Sequence, residues 1–260
     1  DLFLPANIIC AFLTGISKDV LAEAFQVLAI ALGIQIISYL LGLLLYRKEE
    51  NGRRMVLRYA TICSNAGFMG NPVVEGIYGS QGLLYASVYL IPLRIFMWSA
   101  GLSCFTVASP KDIVKKLIHH PCIIAVVIGM VLMPFPGIVP GFLLQTMQSC
   151  SRCVLPVSMV VIGSILAEAD IRKMLKGSTL FYCVVRLLGI PAVTMVMCRL
   201  LGIGTLVTGV CTILAGMPAG STTAILAEKY DGDAKYASEC VFLSTVLSLF
   251  TMPLLYMVLS

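Results

Sequence analysis

The chain has 260 residues, of which 59% are apolar and only 12% charged, with a net charge of +5 and a mean hydropathy of +0.97. Soluble domains carry about 25% charged residues, so this composition excludes a soluble enzyme or binding module. The basic residues sit in short loops between apolar runs and not on one polar face, which excludes a nucleic-acid surface and points to membrane topology.

Taken in chain order, apolar stretches fall at 2–16, 20–46, 56–78, 83–105, 119–135, 142–167, 177–200, 206–228 and 236–259. Most approach the roughly 20 residues a helix needs to cross a bilayer, and none shows the alternating pattern of barrel strands. The expectation is a polytopic all-α membrane protein with nine spans. The first run is short and begins at Asp1, so a preceding segment is expected. Alternating the loops puts Arg47, Lys48, Arg53, Arg54, Arg58, Lys111, Lys115, Lys116, Arg172, Lys173, Lys176, Lys229 and Lys235 on one side. Only Lys18, Arg152 and Arg199 fall on the other. The basic side is therefore expected to be cytoplasmic and the C-terminus outside.

Two of the runs contain helix breakers. Asn65, Gly67, Gly70, Asn71 and Pro72 interrupt 56–78, while Gly216, Pro218 and Gly220 interrupt 206–228. An unpaired backbone group in lipid costs several kcal/mol, so interrupted helices persist only where protein or a water-filled cavity satisfies them. Paired interruptions point to a binding site at mid-membrane depth.

The two clusters are also related by register. At an offset of 151 residues Leu4-Pro5 falls on Leu155-Pro156, Thr61-Ile62 on Thr212-Ile213, and Tyr85-Ala86-Ser87 on Tyr236-Ala237-Ser238. Residues 64–72 then fall on 215–223, and the segment at 119–135 lacks a partner within the chain. Two repeats of five spans are expected, the second inverted because five is odd.

The residues Ser64-Asn65-Ala66-Gly67-Phe68-Met69-Gly70-Asn71-Pro72, followed by Tyr78-Gly79 and Gly82-Leu83, resemble the broken fourth helix of the auxin efflux carrier family. Gly216-Met217-Pro218-Ala219-Gly220 and Ala227-Glu228-Lys229-Tyr230 are similar to its broken ninth helix, and the two Leu-Pro pairs to its second and seventh helices. The resemblance implies ten spans, of which the first is absent here, with both termini outside the plasma membrane. It implies a first repeat over 1–107, a cytoplasmic linker over 108–118 and a second repeat over 119–260. A scaffold would come from about 1–16 and 119–167, and a mobile transport domain from about 20–105 and 177–259. The implied activity is secondary transport of a small organic anion, a carboxylate such as malate or an auxin-like acid. A homodimer formed through the scaffold is compatible with it.

The candidate site residues follow from polarity at depth. Arg94 and Arg186 lie near the middle of their runs, where a lipid-facing arginine is costly. Each either attracts a carboxylate or pairs with Glu75, with Glu239, or with exposed carbonyls at a break. Each half-helix after a break offers N–H groups to an anion, so Asn65, Gly70, Asn71, Pro72, Gly216, Pro218, Gly220, Ser221 and Thr222 complete the expected substrate site. Asn65 contacts either a ligand and the cavity or a neighbouring helix. Glu75 and Glu239 are candidates for a coupling proton, with structural pairing as the alternative; the coupling ion is H+ or Na+. No cofactor or metal is implied: the ten cysteines are scattered, and Cys150-x-x-Cys153 and His119-His120 are isolated pairs. With no nucleophile–base pair in the spans, an enzyme is excluded. A channel or a non-transporting receptor on the same scaffold is the alternative to a carrier.

Overall fold

The computed structural model describes residues 3–13, 18–106, 118–119, 121–132, 135, 138–154, 156–157, 160 and 177–259. The expected linker over 108–118 and the basic cluster at Arg172, Lys173 and Lys176 lie almost wholly outside them. The described elements are helical: α1 (Phe3–Phe12), α2 (Lys18–Leu45), α3 (Asn51–Ile62), α4 (Asn71–Phe96), α5 (Pro121–Leu132), α6 (Gly141–Arg152), α7 (Gly177–Val184), α8 (Ile190–Leu200), α9 (Thr205–Ala215), α10 (Thr222–Lys229) and α11 (Ala234–Leu259). A π turn over Ala66–Gly70 leads into α4, and another over Val185–Gly189 joins α7 to α8.

Four stretches are long and apolar enough to cross a membrane: Val20–Leu45, Ala66–Cys104, Gly177–Leu200 and Ala234–Leu259. The second, of 39 residues, would extend about 58 Å at 1.5 Å per residue, twice the hydrocarbon depth. It reverses instead at Gly79, whose φ of 65° and ψ of −158° are not helical. A Cβ placed on Gly82 would lie 3.2 Å from the Val74 carbonyl oxygen. In a straight helix residues eight apart are about 12 Å distant, so residues 66–78 and 80–104 form a hairpin.

α3, α9 and α10 contain 12, 11 and 8 residues. At that length each covers about half a bilayer. α3 and α10 pack together with α11 and α7 around one buried cluster that includes Tyr46, Tyr59, Tyr182 and Tyr236. The limb 66–78 packs with α9, α2 and α8 in a second cluster containing Val74, Leu83, Tyr89, Val210 and Leu214. The two cores lie on opposite sides of the place where the broken helices meet.

The outer faces are apolar. On α2, Leu32, Ile36, Leu40 and Leu44 recur every fourth residue and are 44–56% exposed. Phe250, Leu254 and Met257 repeat the pattern on α11. Such stripes suit lipid and would be an aggregation liability in water. At one end, Arg53 Nε lies 3.7 Å from Asp233 Oδ2, joining the start of α3 to the loop after α10. At the other, Arg199 donates to the Val258 carbonyl over 3.4 Å.

The Gly79 reversal yields a paired expectation. No atom lies within 4 Å of a Cβ at Gly79 or at Gly76, so only the backbone distinguishes them. Gly79→Ala should destabilise by about 1–3 kcal/mol, whereas Gly76→Ala, in helical backbone, should be neutral or stabilising by about 0.5–1 kcal/mol. Thermal unfolding of the two variants in detergent reads the difference; equal midpoints would remove the reversal from Gly79.

Candidate functional site

The two interrupted helices cross and hydrogen-bond to each other. α3 ends at Ile62, and Cys63 adopts extended backbone. Ser64 forms an antiparallel bridge with Ala219: the Asn65 N–H donates to the Pro218 carbonyl over 2.8 Å, and the Gly220 N–H to the Cys63 carbonyl over 3.2 Å. Backbone groups that each helix loses at its break are thus taken up by the other. Gly70 permits the approach, since a Cβ there would stand 2.7 Å from Leu214 Cδ2.

Side chains meet further backbone groups at the breaks. At the end of α3, the Ala60 carbonyl accepts from Tyr182 Oη over 3.2 Å and the Thr61 carbonyl from Arg186 over 2.9 Å. Arg186 Nε also donates to the Met217 carbonyl in the second break over 3.0 Å. Its side chain is only 2% exposed. Ser244 on α11 completes the set by accepting from the Ala219 N–H over 3.1 Å. The charge of Arg186 therefore complements the negative C-terminal end of α3 and a carbonyl of the second break. Arg186 thus makes the expected pairing with exposed carbonyls, and through it pins the two breaks together.

Arg94 is placed differently. Half-buried on α4, it brings its guanidinium to 3.1 Å from where a Cβ of Gly67 would be. That is the N-terminal turn after the first break, where N–H groups lack intrahelical acceptors. The same arginine borders a cleft lined by Ile8 of α1, by Ser87, Leu90 and Ile91 of α4, and by Ile123 and Val126 of α5. This cleft holds about 10 Å³, the space of one water. A larger ligand enters only if α1 and α5 separate from α4.

The other expected residues divide. Pro218, Gly216 and Gly220 are buried in the second break, with Ser221 and Thr222 half-buried at the start of α10. Tyr59 Oη donates to Thr222 Oγ1 over 3.3 Å. Asn65 is half-buried and its side chain makes no capping bond to the following turn. Gly70, Asn71 and Pro72 are not at unwound backbone: the non-helical residues of the first break are Cys63 to Asn65, and Pro72 follows the π turn inside a helical limb that begins at Ala66. The Asn71 side chain is fully buried with neither polar atom paired among the described residues. Glu239 is buried on α11, and Glu75 is half-buried on α4, held by Asn7. Asn7 is a residue that sequence reasoning missed; a lone amide in the apolar run Phe3–Phe12 was the available signal. Among the described residues no group of three or more His, Cys, Asp or Glu could hold a metal.

Comparison with known proteins matches residues 1–113 and 103–256 to the family described as membrane transport protein. The chain belongs to that family. An uncharacterised transporter of Methanothermobacter thermautotrophicus is 30% identical over 215 residues, 82% of this chain and 70% of the relative. A second, from Methanocaldococcus jannaschii, is 23% identical over 265 aligned residues, 96% of this chain and 84% of the relative. Membership agrees with the likeness first carried by the two broken-helix motifs. In this member of the family, the crossing those motifs encode is the candidate site.

The pin can be tested without a substrate. Arg186→Met leaves two buried carbonyls unpaired and should lower stability by about 2–6 kcal/mol, at about 1–3 kcal/mol per group. Arg186→Lys restores a charge without the planar fork and should recover only part of that. Thermal unfolding of the purified variants reads both, and an unchanged midpoint for Arg186→Met would deny it the pinning role.

Proposed function

We propose that the protein is a secondary carrier of a small organic anion, working by alternating access around the crossed breaks. The observation that carries this is Arg94: a guanidinium set against Gly67, at the positive end of the helix that follows the first break. Arginine and a helix N-terminus favour the same charge, and the fork of guanidinium suits a carboxylate. Family membership supports transport as the activity.

The architecture we propose is two repeats of opposite orientation, nine spans of which lie in this chain. Several features support it. Each broken helix is followed by a tight turn and a long helix, and the turns contain the left-handed residues Gly79 and Asp231, one position apart in the 151-residue register. α3 meets α10 through Tyr59 and Thr222, while α9 meets residues 66–78 where Tyr78 overlies Gly209. That is the pairing expected of two antiparallel broken helices. The contact between Arg53 and Asp233 draws together two loops assigned to the cytoplasm, and the contact between Arg199 and Val258 two segments assigned outside. Residues 1–16 and 119–167 would form the scaffold and the remainder the moving domain, in the plasma membrane, with H+ or Na+ as coupling ion and Glu75 or Glu239 as its carrier.

Counterflow in proteoliposomes, with malate, acetate and indole acetate as probes, tests the reading. A carrier gives saturable flux stimulated by internal probe. Arg94→Gln should lower apparent affinity about 10- to 100-fold, the loss of one charged hydrogen bond, while the variant remains monodisperse. Flux that never saturates would identify a channel instead, and absence of flux for every carboxylate would favour a receptor.

A further inference from the structure

One buried polar cluster lies apart from the crossing. Asn7 on α1 is fully buried, and its Nδ2 donates to Glu75 Oε2 over 3.2 Å and to Ser151 Oγ over 2.8 Å. The three residues belong to α1, to the first limb of the α4 hairpin and to α6. Their surroundings on α1 are apolar, with Ile8, Ala11 and Phe12 buried beside Asn7. Asn7 Oδ1 is buried with no partner among the described residues. An acid is thus held by a single amide donor at the contact between the hairpin and the α1–α6 layer.

The geometry points to a proton-binding site at Glu75, with Asn7 and Ser151 as its positioning residues, whose occupancy sets whether the hairpin is tied to α1 and α6. A charged acceptor makes the stronger bond to Asn7, so the ionised form holds the tie and protonation loosens it. Glu75 lies four residues before the exposed Gly79 reversal, so water can deliver the proton from that end. Among the described residues the titratable group shown beside it is the Cys10 thiol of α1, which in turn lies near Cys150 of α6. Arg152 of α6 is exposed. On the opposite limb of the hairpin, Tyr85 is occupied by Glu23 and Tyr89 is buried beside Cys211. The α9 helix contributes no carboxylate or base to this contact.

Movement of the hairpin past the apolar residues of α1 would take Glu75 away from Asn7, and a neutral acid crosses that surface far more readily than a carboxylate. That consequence, one proton per movement, rests on the carrier reading; the protonation of the tie does not. Hydrogen–deuterium exchange of the full chain in lipid nanodiscs tests the tie without any substrate, once the intrinsic pH dependence of exchange is removed. When the pH is lowered from about 8 to about 3, far enough to protonate a carboxylate that the tie favours in its ionised form, protection of residues 8–12 and 71–78 should fall about tenfold, the weakening expected when a charged hydrogen bond becomes neutral. Glu75→Gln should show the low-pH protection throughout. Asn7→Leu removes the amide donor and should abolish the transition, leaving protection at the low-pH level throughout. A parent without a transition, a Glu75→Gln protein that keeps it, or an Asn7→Leu protein that keeps it would each overturn the proposal. Counterflow that fails while the transition is present would count against the carrier and leave the tie standing.

Discussion

The rest of the structure depends on two backbone interruptions being satisfied at once. A helix that stops in the middle of a bilayer leaves carbonyls facing a medium without donors, at several kcal/mol each. Here one guanidinium, Arg186, serves a carbonyl from each break, Thr61 and Met217. The bridge between Ser64 and Ala219 serves two more, and Tyr182 another. Neither interruption is self-sufficient. Each needs the other's backbone and a shared arginine, so the crossing forms as a unit or not at all.

That mutual dependence explains what was readable in the sequence. The existence of the breaks was visible in Asn65 to Pro72 and Gly216 to Gly220, but the position of the first was not. Glycine and proline record where a helix can begin or where chains approach closely, and here Gly70 and Pro72 do those things inside helical backbone. Of the unwound residues, Cys63 to Asn65, only Asn65 carries a local signal, because the bridge partner of Ser64 lies 155 residues away in the chain. The helices themselves were legible, since apolar runs bounded by charge mark them. The reversal at Gly79 was legible as a boundary between runs but not as a backbone of left-handed φ.

The two intramembrane arginines show the limit more sharply. Arg94 and Arg186 look alike in sequence: one cation, an apolar run, a central position. Their roles diverge because of contacts that no local pattern encodes. Arg186 spends its donors on carbonyls 31 and 125 residues distant, at the negative end of a helix. Arg94 reaches the first turn of one, where backbone and side chain are both positive. Charge at depth marks both residues alike, and the helix ends they meet set them apart, carbonyls for Arg186 and the first turn after a break for Arg94.

A rigid crossing also constrains how a cavity beside it can open. The bonds across the breaks resist sliding of α3 against α10, or of residues 66–78 against α9, because any such shift would strand carbonyls in a dry interior. The contacts of α1 and α5 with the α4 hairpin are of another kind. They are mostly apolar, with a cleft of about 10 Å³ at Arg94 and a larger apolar groove of about 260 Å³ that shares Ile91 as a wall. Apolar contact is non-directional, so these surfaces can slide with little loss while the hydrogen-bonded crossing cannot. The polar exception is Asn7 with Glu75 and Ser151, which gives the sliding surface one discrete position. If the proposed movement takes place between the α1–α5 layer and the hairpin, it gives up non-directional contact and carries the hydrogen-bonded crossing intact, with Arg94 at the edge of both.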